Sequence, residues 1–185
     1  MWLRRADLAP RERDPLDRAI NRHLVEYVQS HEPMVIAAYM AFDGEPGLTQ
    51  ALTELSTAGN TVALPVVVDA PGKAVIEFKR WTAECVMSEN RYGIAEPQGA
   101  AEVLVTDLDL VLVPLVAWDG RGGRLGMGAS FYDRLFQPFA GLTRPVRMGV
   151  GYQLQKVEKI PLDPWDVRLH AVLSEHGCEF FEETN

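Results

Sequence analysis

The amino-acid sequence predicts one α/β domain, a three-layer fold with a mostly parallel sheet flanked by helices. Three observations lead there. Apolar runs at residues 34–40, 61–68, 110–113 and 146–152 have the length and composition of buried strands. Amphipathic or turn-rich segments separate them, and that order closes into a parallel sheet. A chain of 185 residues suffices for one good core and is short for two.

The elements follow in order. Leu16, Ile20, Leu24 and Val28 recur at helical spacing with arginines between them, which predicts an amphipathic helix on the surface of a core. Residues 34–40 form the first strand and run into a turn-rich loop, AFDGEPG. A helix with Leu48, Leu52 and Leu55 on one face stops near Gly59, and residues 61–68 complete the βαβ unit. Residues 74–80 read as a strand paired with the previous one across Pro71-Gly72. Residues 98–105 read as a linker, residues 131–139 as a short helix, and residues 154–165 as a loop. A last short strand follows Trp165-Asp166. Residues 1–176 are expected to form the domain and residues 177–185 a C-terminal tail.

Composition narrows the function classes. Hydrophobic residues make up 47% and charged ones 24%, ordinary for a soluble globular protein. No apolar run approaches a membrane span, and the first residues lack the apolar core of a secretory signal. Cys85 and Cys178 have no metal spacing and are too few for a disulfide framework, so a reducing cytoplasm is the simplest setting. A net charge of -8 argues against non-specific nucleic-acid binding. Six arginines nevertheless fall within the first 22 residues, a local basic arm that suits an anionic small ligand.

The most informative stretch is residues 109–136, DLVLVPLVAWDGRGGRLGMGASFYDRLF. A strand leads into five glycines (Gly120, Gly122, Gly123, Gly126 and Gly128), and a helix opens at Ser130-Phe131-Tyr132-Asp133. Glycine admits positive φ and close approach, and the first N–H groups of a helix lack intrahelical partners, so such a turn can present several donors to an anion. Arg121 and Arg124 add guanidinium forks suited to phosphate or carboxylate oxygens.

R-L-G-x-G-x-x-F-Y-D after V-P-L-V-A-W-D resembles the 5-formyltetrahydrofolate cyclo-ligase family, also called methenyltetrahydrofolate synthetase, and the likeness covers most of the chain. The resemblance implies a NagB/RpiA/CoA-transferase-like fold and an ATP-dependent cyclisation of 5-formyltetrahydrofolate. It places ATP along Arg124, Leu125, Gly126, Met127, Gly128, Ala129, Ser130, Phe131 and Tyr132, with Arg4 or Arg5 as the basic N-terminal contribution. Arg124 and Tyr132 are the candidate catalytic residues. It places the folate against Met40, Glu45, Tyr92 and Phe131. A carboxylate suits a pterin because it accepts from neighbouring ring N–H and amino donors together. Asp133 and Asp166 are implied as Mg²⁺ ligands. Folate and ATP are the expected partners, with no nucleic acid, no membrane and a monomeric state.

Bland alternatives stand beside several of these. Asp133 with Ser130 also fits a helix N-cap pair, and the two roles are compatible. Tyr92 could stack on a flat ligand or be a half-buried aromatic at a loop edge. His23, His31, His170 and His176 have no metal-ligand spacing, and Ser130 lies in no nucleophile elbow. The family usually carries glycine or lysine at the position of Ala129 and glycine at Ser130. Where φ is positive there, a side chain costs roughly a kcal/mol or more. A catalytically altered paralog that binds nucleotide or folate is therefore the alternative function. A sugar-phosphate isomerase or CoA transferase on the same scaffold is a further rival, and neither would need ATP.

Overall fold

The structure, a computed structural model, describes Arg5 and residues 7–128 and 130–182. An eight-stranded sheet forms its centre, in the order β13-β12-β10-β7-β1-β2-β3-β6. Its five inner strands are parallel: β12 (Ala171–Ser174), β10 (Val146–Val150), β7 (Leu110–Pro114), β1 (Val35–Ala37) and β2 (Thr61–Ala70). The edges are antiparallel, with β13 (Gly177–Phe180) beside β12, and β3 (Lys73–Trp81) followed by β6 (Glu102–Val103) beside β2. A hairpin of β4 (Met87–Glu89) and β5 (Ala95–Pro97) stands apart.

Strand alternation sorts the core into two layers. Ile36, Leu110, Leu112, Met148 and Leu173 face α1 (Pro10–Gln29) and α2 (Thr49–Thr57), meeting Ile20, Leu24, Val28, Leu52 and Leu55. Each such fully buried side chain contributes about 1.5–3 kcal/mol of apolar transfer free energy. Ala37, Val111, Val113 and Val172 face the other way, toward Trp118 and Phe136. That second layer is thinner. It consists of α3 (Phe131–Phe136) and a small sheet of β8 (Ala117–Asp119), β9 (Arg124–Leu125) and β11 (Lys156–Val157).

Several expected boundaries move. The first strand ends at Ala37, because residues 38–40 turn away to bury Tyr39, whose hydroxyl donates to Pro46 O at 3.0 Å. The presumed linker at 98–105 contains β6, which covers the β3 edge. Residues 177–180, expected as tail, form β13; Gly177 at φ 111° makes the turn that lets the chain pair back on β12. No helix among the described residues is long and apolar enough to cross a membrane. Cys85 and Cys178 are free thiols.

Two features position the site. β1 and β2 start in register, but residues 64–70 of β2 run on past the last β1 pair, an arm of about 23 Å at ~3.3 Å per residue. Its β3 return strand meets α3, where Arg134 donates to Ala74 O at 3.2 Å. Helix α1 ties the loop after β1 from below: Asn21 donates to Gly47 O at 2.6 Å and accepts the Ala51 N–H at 2.8 Å.

Candidate active site

The chain leaves the parallel neighbours β1 and β7 at the same edge of the sheet, and both exits carry candidate residues. After β1, Asp43 and Gly44 take φ of 51° and 78°, a tight left-handed bend. Glu45 closes it on both sides: its N–H donates to Phe42 O at 3.1 Å, and its Oε2 accepts the Phe42 N–H at 3.1 Å. The carboxylate is only 9% exposed. Burial pushes its pKa up to about 7, against the Phe42 N–H and the Arg5 guanidinium, which pull it down. Met40 is half-buried and packs on the core beneath the same loop.

The glycines after β7 divide into two groups. Gly122 and Gly123 belong to a turn wound around Asp119, whose Oδ1 accepts the N–H groups of Arg121 (2.9 Å) and Gly123 (3.0 Å) and whose Oδ2 accepts that of Ile160 (2.8 Å). Burial works to raise the Asp119 pKa, but those three donors and Arg121 outweigh it and hold the carboxyl below its ordinary value. A Cβ on Gly122 would stand 2.5 Å from Leu169 O, at a φ of 76°. Those residues are consumed by the fold. Gly126 and Gly128, by contrast, have nothing among the described residues within 4 Å of where a Cβ would stand, and Gly128 has a φ of 88°. Leu125 and Met127 beside them are more than half exposed. The backbone open to a ligand is therefore the second half of the stretch. Asp119 escaped the sequence reading; Asp-Gly, a recurrent turn signal, was the clue to its role.

Arg124 is the hub of this side. It is 6% exposed, and one guanidinium nitrogen donates to Asp133 Oδ1 and another to Val167 O. The Val167 N–H lies 3.5 Å from the same Asp133 oxygen. Asp133 is thus brought to the residue that follows Asp166. Asp166 Oδ2 accepts the Asp163 N–H at 2.8 Å. Tyr132 feels the charges of both halves of the site. Burial and the charge of Glu45 push its phenol well above the ordinary range, while Arg124 pulls the other way, so it stays a protonated donor. Phe131 lies under the Arg134 guanidinium, 5.2 Å from its ring centroid.

The expected Ser130 cap does not form. Ser130 sits at φ 47°, ψ 27° and makes no side-chain capping bond, because a left-handed residue points its hydroxyl away from the first helical amides. Only Asp43 and Ser130 among the described non-glycine residues have positive φ. Relieving that conformation should outweigh the added freedom of the unfolded chain, so Ser130→Gly is expected to stabilise the fold by about 0.5–1 kcal/mol. Denaturant midpoints of the two proteins check this, and an unchanged or lower midpoint refutes it.

Arg5 stands elsewhere than a phosphate ligand's place on the glycine turn. It is fully buried, donating from Nη1 to Leu115 O (3.0 Å) and from Nη2 to Asp43 O (2.9 Å). Tyr92 occupies the turn of the β4–β5 hairpin at the far end of the β2–β3 arm, 49% exposed, with Arg91 against its ring and on Asp69. None of its contacts among the described residues reaches another candidate. Arg4 and Ala129 lie outside the described residues. His170 is used structurally, accepting the Arg147 N–H at 3.1 Å. A cleft of about 400 Å³ opens on the outer side of the Asp119 turn, lined by Arg121, Lys159 and Arg168.

Fold and site together define an α/β protein whose polar candidates gather at the carboxyl edge of a parallel sheet, the usual place for nucleotide and coenzyme chemistry. The family model of the 5-formyltetrahydrofolate cyclo-ligase family matches residues 1–175. The 5-formyltetrahydrofolate cyclo-ligase of Haemophilus influenzae is 33% identical over 171 residues, covering 91% of this chain and 90% of that protein. The enzyme of the same name from Escherichia coli is 33% identical over 174 residues, covering 92% and 94%. Among solved structures, the 5,10-methenyltetrahydrofolate synthetase of Aquifex aeolicus superposes with a TM-score of 0.78 at 26% identity, covering 100% of this chain and 90% of that one. The Mycoplasma pneumoniae synthetase gives 0.73 at 25% identity, covering 94% and 93%. The chain belongs to the 5-formyltetrahydrofolate cyclo-ligase family.

Proposed function

We propose that this protein converts 5-formyltetrahydrofolate to 5,10-methenyltetrahydrofolate at the expense of ATP, releasing ADP and phosphate. The observation that carries the reading is that a buried carboxylate, Glu45, and the Arg124 guanidinium beside an open glycine loop both act on the same buried phenol, Tyr132. The formyl oxygen is a poor leaving group, and transfer of a phosphoryl group onto it makes it a good one. The oxygen attacks the terminal phosphorus and ADP departs. The second folate nitrogen then attacks the formyl carbon, phosphate leaves, and the nitrogen gives up its proton. No protein nucleophile is needed. Positioning and neutralisation of charge carry such a reaction.

In this reading Glu45 accepts the pterin's donors and fixes the ring. Gly126 and Gly128 leave their amides open to phosphate oxygens, Arg124 supplies the nearby positive charge, and Tyr132 with Phe131 forms the wall between the substrates. Mg²⁺ favours one or two carboxylates with phosphate oxygens and water. In this reading Asp133 and Asp166 would hold it, through the oxygens left by Arg124, which pairs with Asp133 Oδ1, and by the Asp163 N–H on Asp166 Oδ2. The described residues hold no cluster of three acidic, histidine or cysteine groups, so the nucleotide itself would complete the shell. Bound there, the ion neutralises phosphate charge. A monomer working in the cytoplasm completes the picture.

The strain at Ser130 favours a second reading, a family member that binds its ligands but turns over slowly. Mixing the protein with ATP, Mg²⁺ and 5-formyltetrahydrofolate, and following the absorbance of the methenyl product, separates the two. ATP-dependent product formation is expected. Folate binding without ATP-dependent product would instead assign the chain to the second reading.

A further inference from the structure

We propose that Arg5 is a positioning residue for the folate side of the site, clamping the Asp43–Glu45 bend to the end of β7 and so setting where the Glu45 carboxylate stands. The inference rests on the reading of Glu45 as the pterin acceptor.

The bend needs a clamp. Asp43 holds a left-handed φ of 51° without glycine's freedom, a conformation that persists only when its surroundings impose it. The Glu45–Phe42 bonds close the loop on itself but attach it to nothing else. Asn21 and Tyr39 hold the later part of the loop at Gly47 O and Pro46 O, and Arg5 attaches the bend itself. One guanidinium nitrogen takes the Asp43 carbonyl and another takes Leu115 O, the first residue beyond β7. The same fork lies 3.9 Å from both Asp43 Oδ2 and Glu45 Oε1. Leu115 is followed by the segment that hydrogen-bonds β9, through Val116 N–H to Leu125 O at 2.7 Å. One side chain therefore spans from the carboxylate loop to the strand that carries Arg124.

Charge gives Arg5 a second role. Among the described residues, the ionisable groups that act on or are acted on by Glu45 are Arg5, Asp43 of the same loop, Tyr39 beyond β1 and Tyr132 of α3. Arg5 is the only cation among those four. Its Nε is buried with no hydrogen-bond partner among the described residues, an arrangement that costs about 1–3 kcal/mol in a purely structural role. An apolar side chain would avoid that cost but would withdraw the donors to Asp43 O and Leu115 O and the cation beside the buried Glu45 carboxylate.

The test is calorimetric binding of 5-formyltetrahydrofolate, and separately of ATP, from pH 6 to 9, with wild type, Arg5→Gln and Arg5→Lys. Arg5→Gln is expected to weaken folate binding tenfold or more at pH 7 and to move the pH midpoint of binding upward, since no cation then favours the ionised carboxylate. ATP binding should change less than twofold. Arg5→Lys keeps the charge but loses the fork; it should weaken folate binding several-fold and leave the pH midpoint in place. If Arg5→Gln does not fold, the Lys variant decides alone. Folate affinity equal to wild type in a folded variant, or equal losses for folate and ATP, overturns the proposal. Wild-type protein that binds no folate overturns the parent reading together with this one; wild-type binding with indifferent variants overturns this one only.

Discussion

Arg124→Ala lowers kcat/KM roughly 10³-fold, the effect expected when a preorganised charged donor is taken from a site where charge develops. The position of Arg124 makes the loss double. Its guanidinium holds Asp133 at the start of α3 and Val167 before β12, so it orders the loop while supplying charge. Without it, Asp133 keeps among the described residues only the long contact from the Val167 N–H, and stability falls by about 1–3 kcal/mol. Arg124→Lys separates the two contributions. Lysine restores the charge and not the fork, so an intermediate loss of about 10–100-fold is expected. Steady-state kinetics on variants shown to be folded check the series. A folded Arg124→Ala protein with near-normal kcat/KM for ATP would remove Arg124 from the phosphate-binding assignment.

Glu45→Gln raises KM for the folate about 100-fold and leaves KM for ATP close to normal. Two bonds from pterin donors to a charged acceptor, each worth about 1.5–3 kcal/mol, become bonds to a neutral amide that can accept at only one end. The pH dependence makes the assignment specific. With its pKa near 7, Glu45 is only half ionised at neutral pH. KM for the folate should therefore fall as pH rises through about 7, and the Gln variant should lose that dependence. Stability runs the other way. The folded protein holds this proton more tightly than the unfolded chain, so the contribution of Glu45 is full below about 4.5 and is lost as pH rises toward 7. Glu45→Gln should thus be as stable as wild type at pH 8, or more so, while binding folate poorly. A variant that loses stability at pH 8 in proportion to its affinity would show Glu45 to be a structural carboxylate.

Much of this site was legible beforehand because its signals are local. Strand, glycines and Y-D lie within one stretch, and Glu45 sits beyond a strand end where ligands gather. Asp119 was missed because its three donors come from residues up to Ile160, and one of them is invisible at short range. The burial of Arg5 was out of sight for a similar reason. In sequence it is one of six arginines in a local basic arm suited to an anionic ligand, whereas its partners are 38 and 110 residues away. Ser130 was read as a cap from spacing alone, and its backbone conformation denied it that role.

By itself the sequence determined the strand–helix order, the family, the glycine stretch and the acidic candidates, because hydrophobic period and turn chemistry act between near neighbours. The tertiary structure decided which glycines stay open, that residues 177–180 become an edge strand, and that Arg5 is drawn inward to Glu45. Those outcomes depend on which distant backbone groups need a partner once water is excluded, and only the folded chain brings such groups within hydrogen-bonding distance.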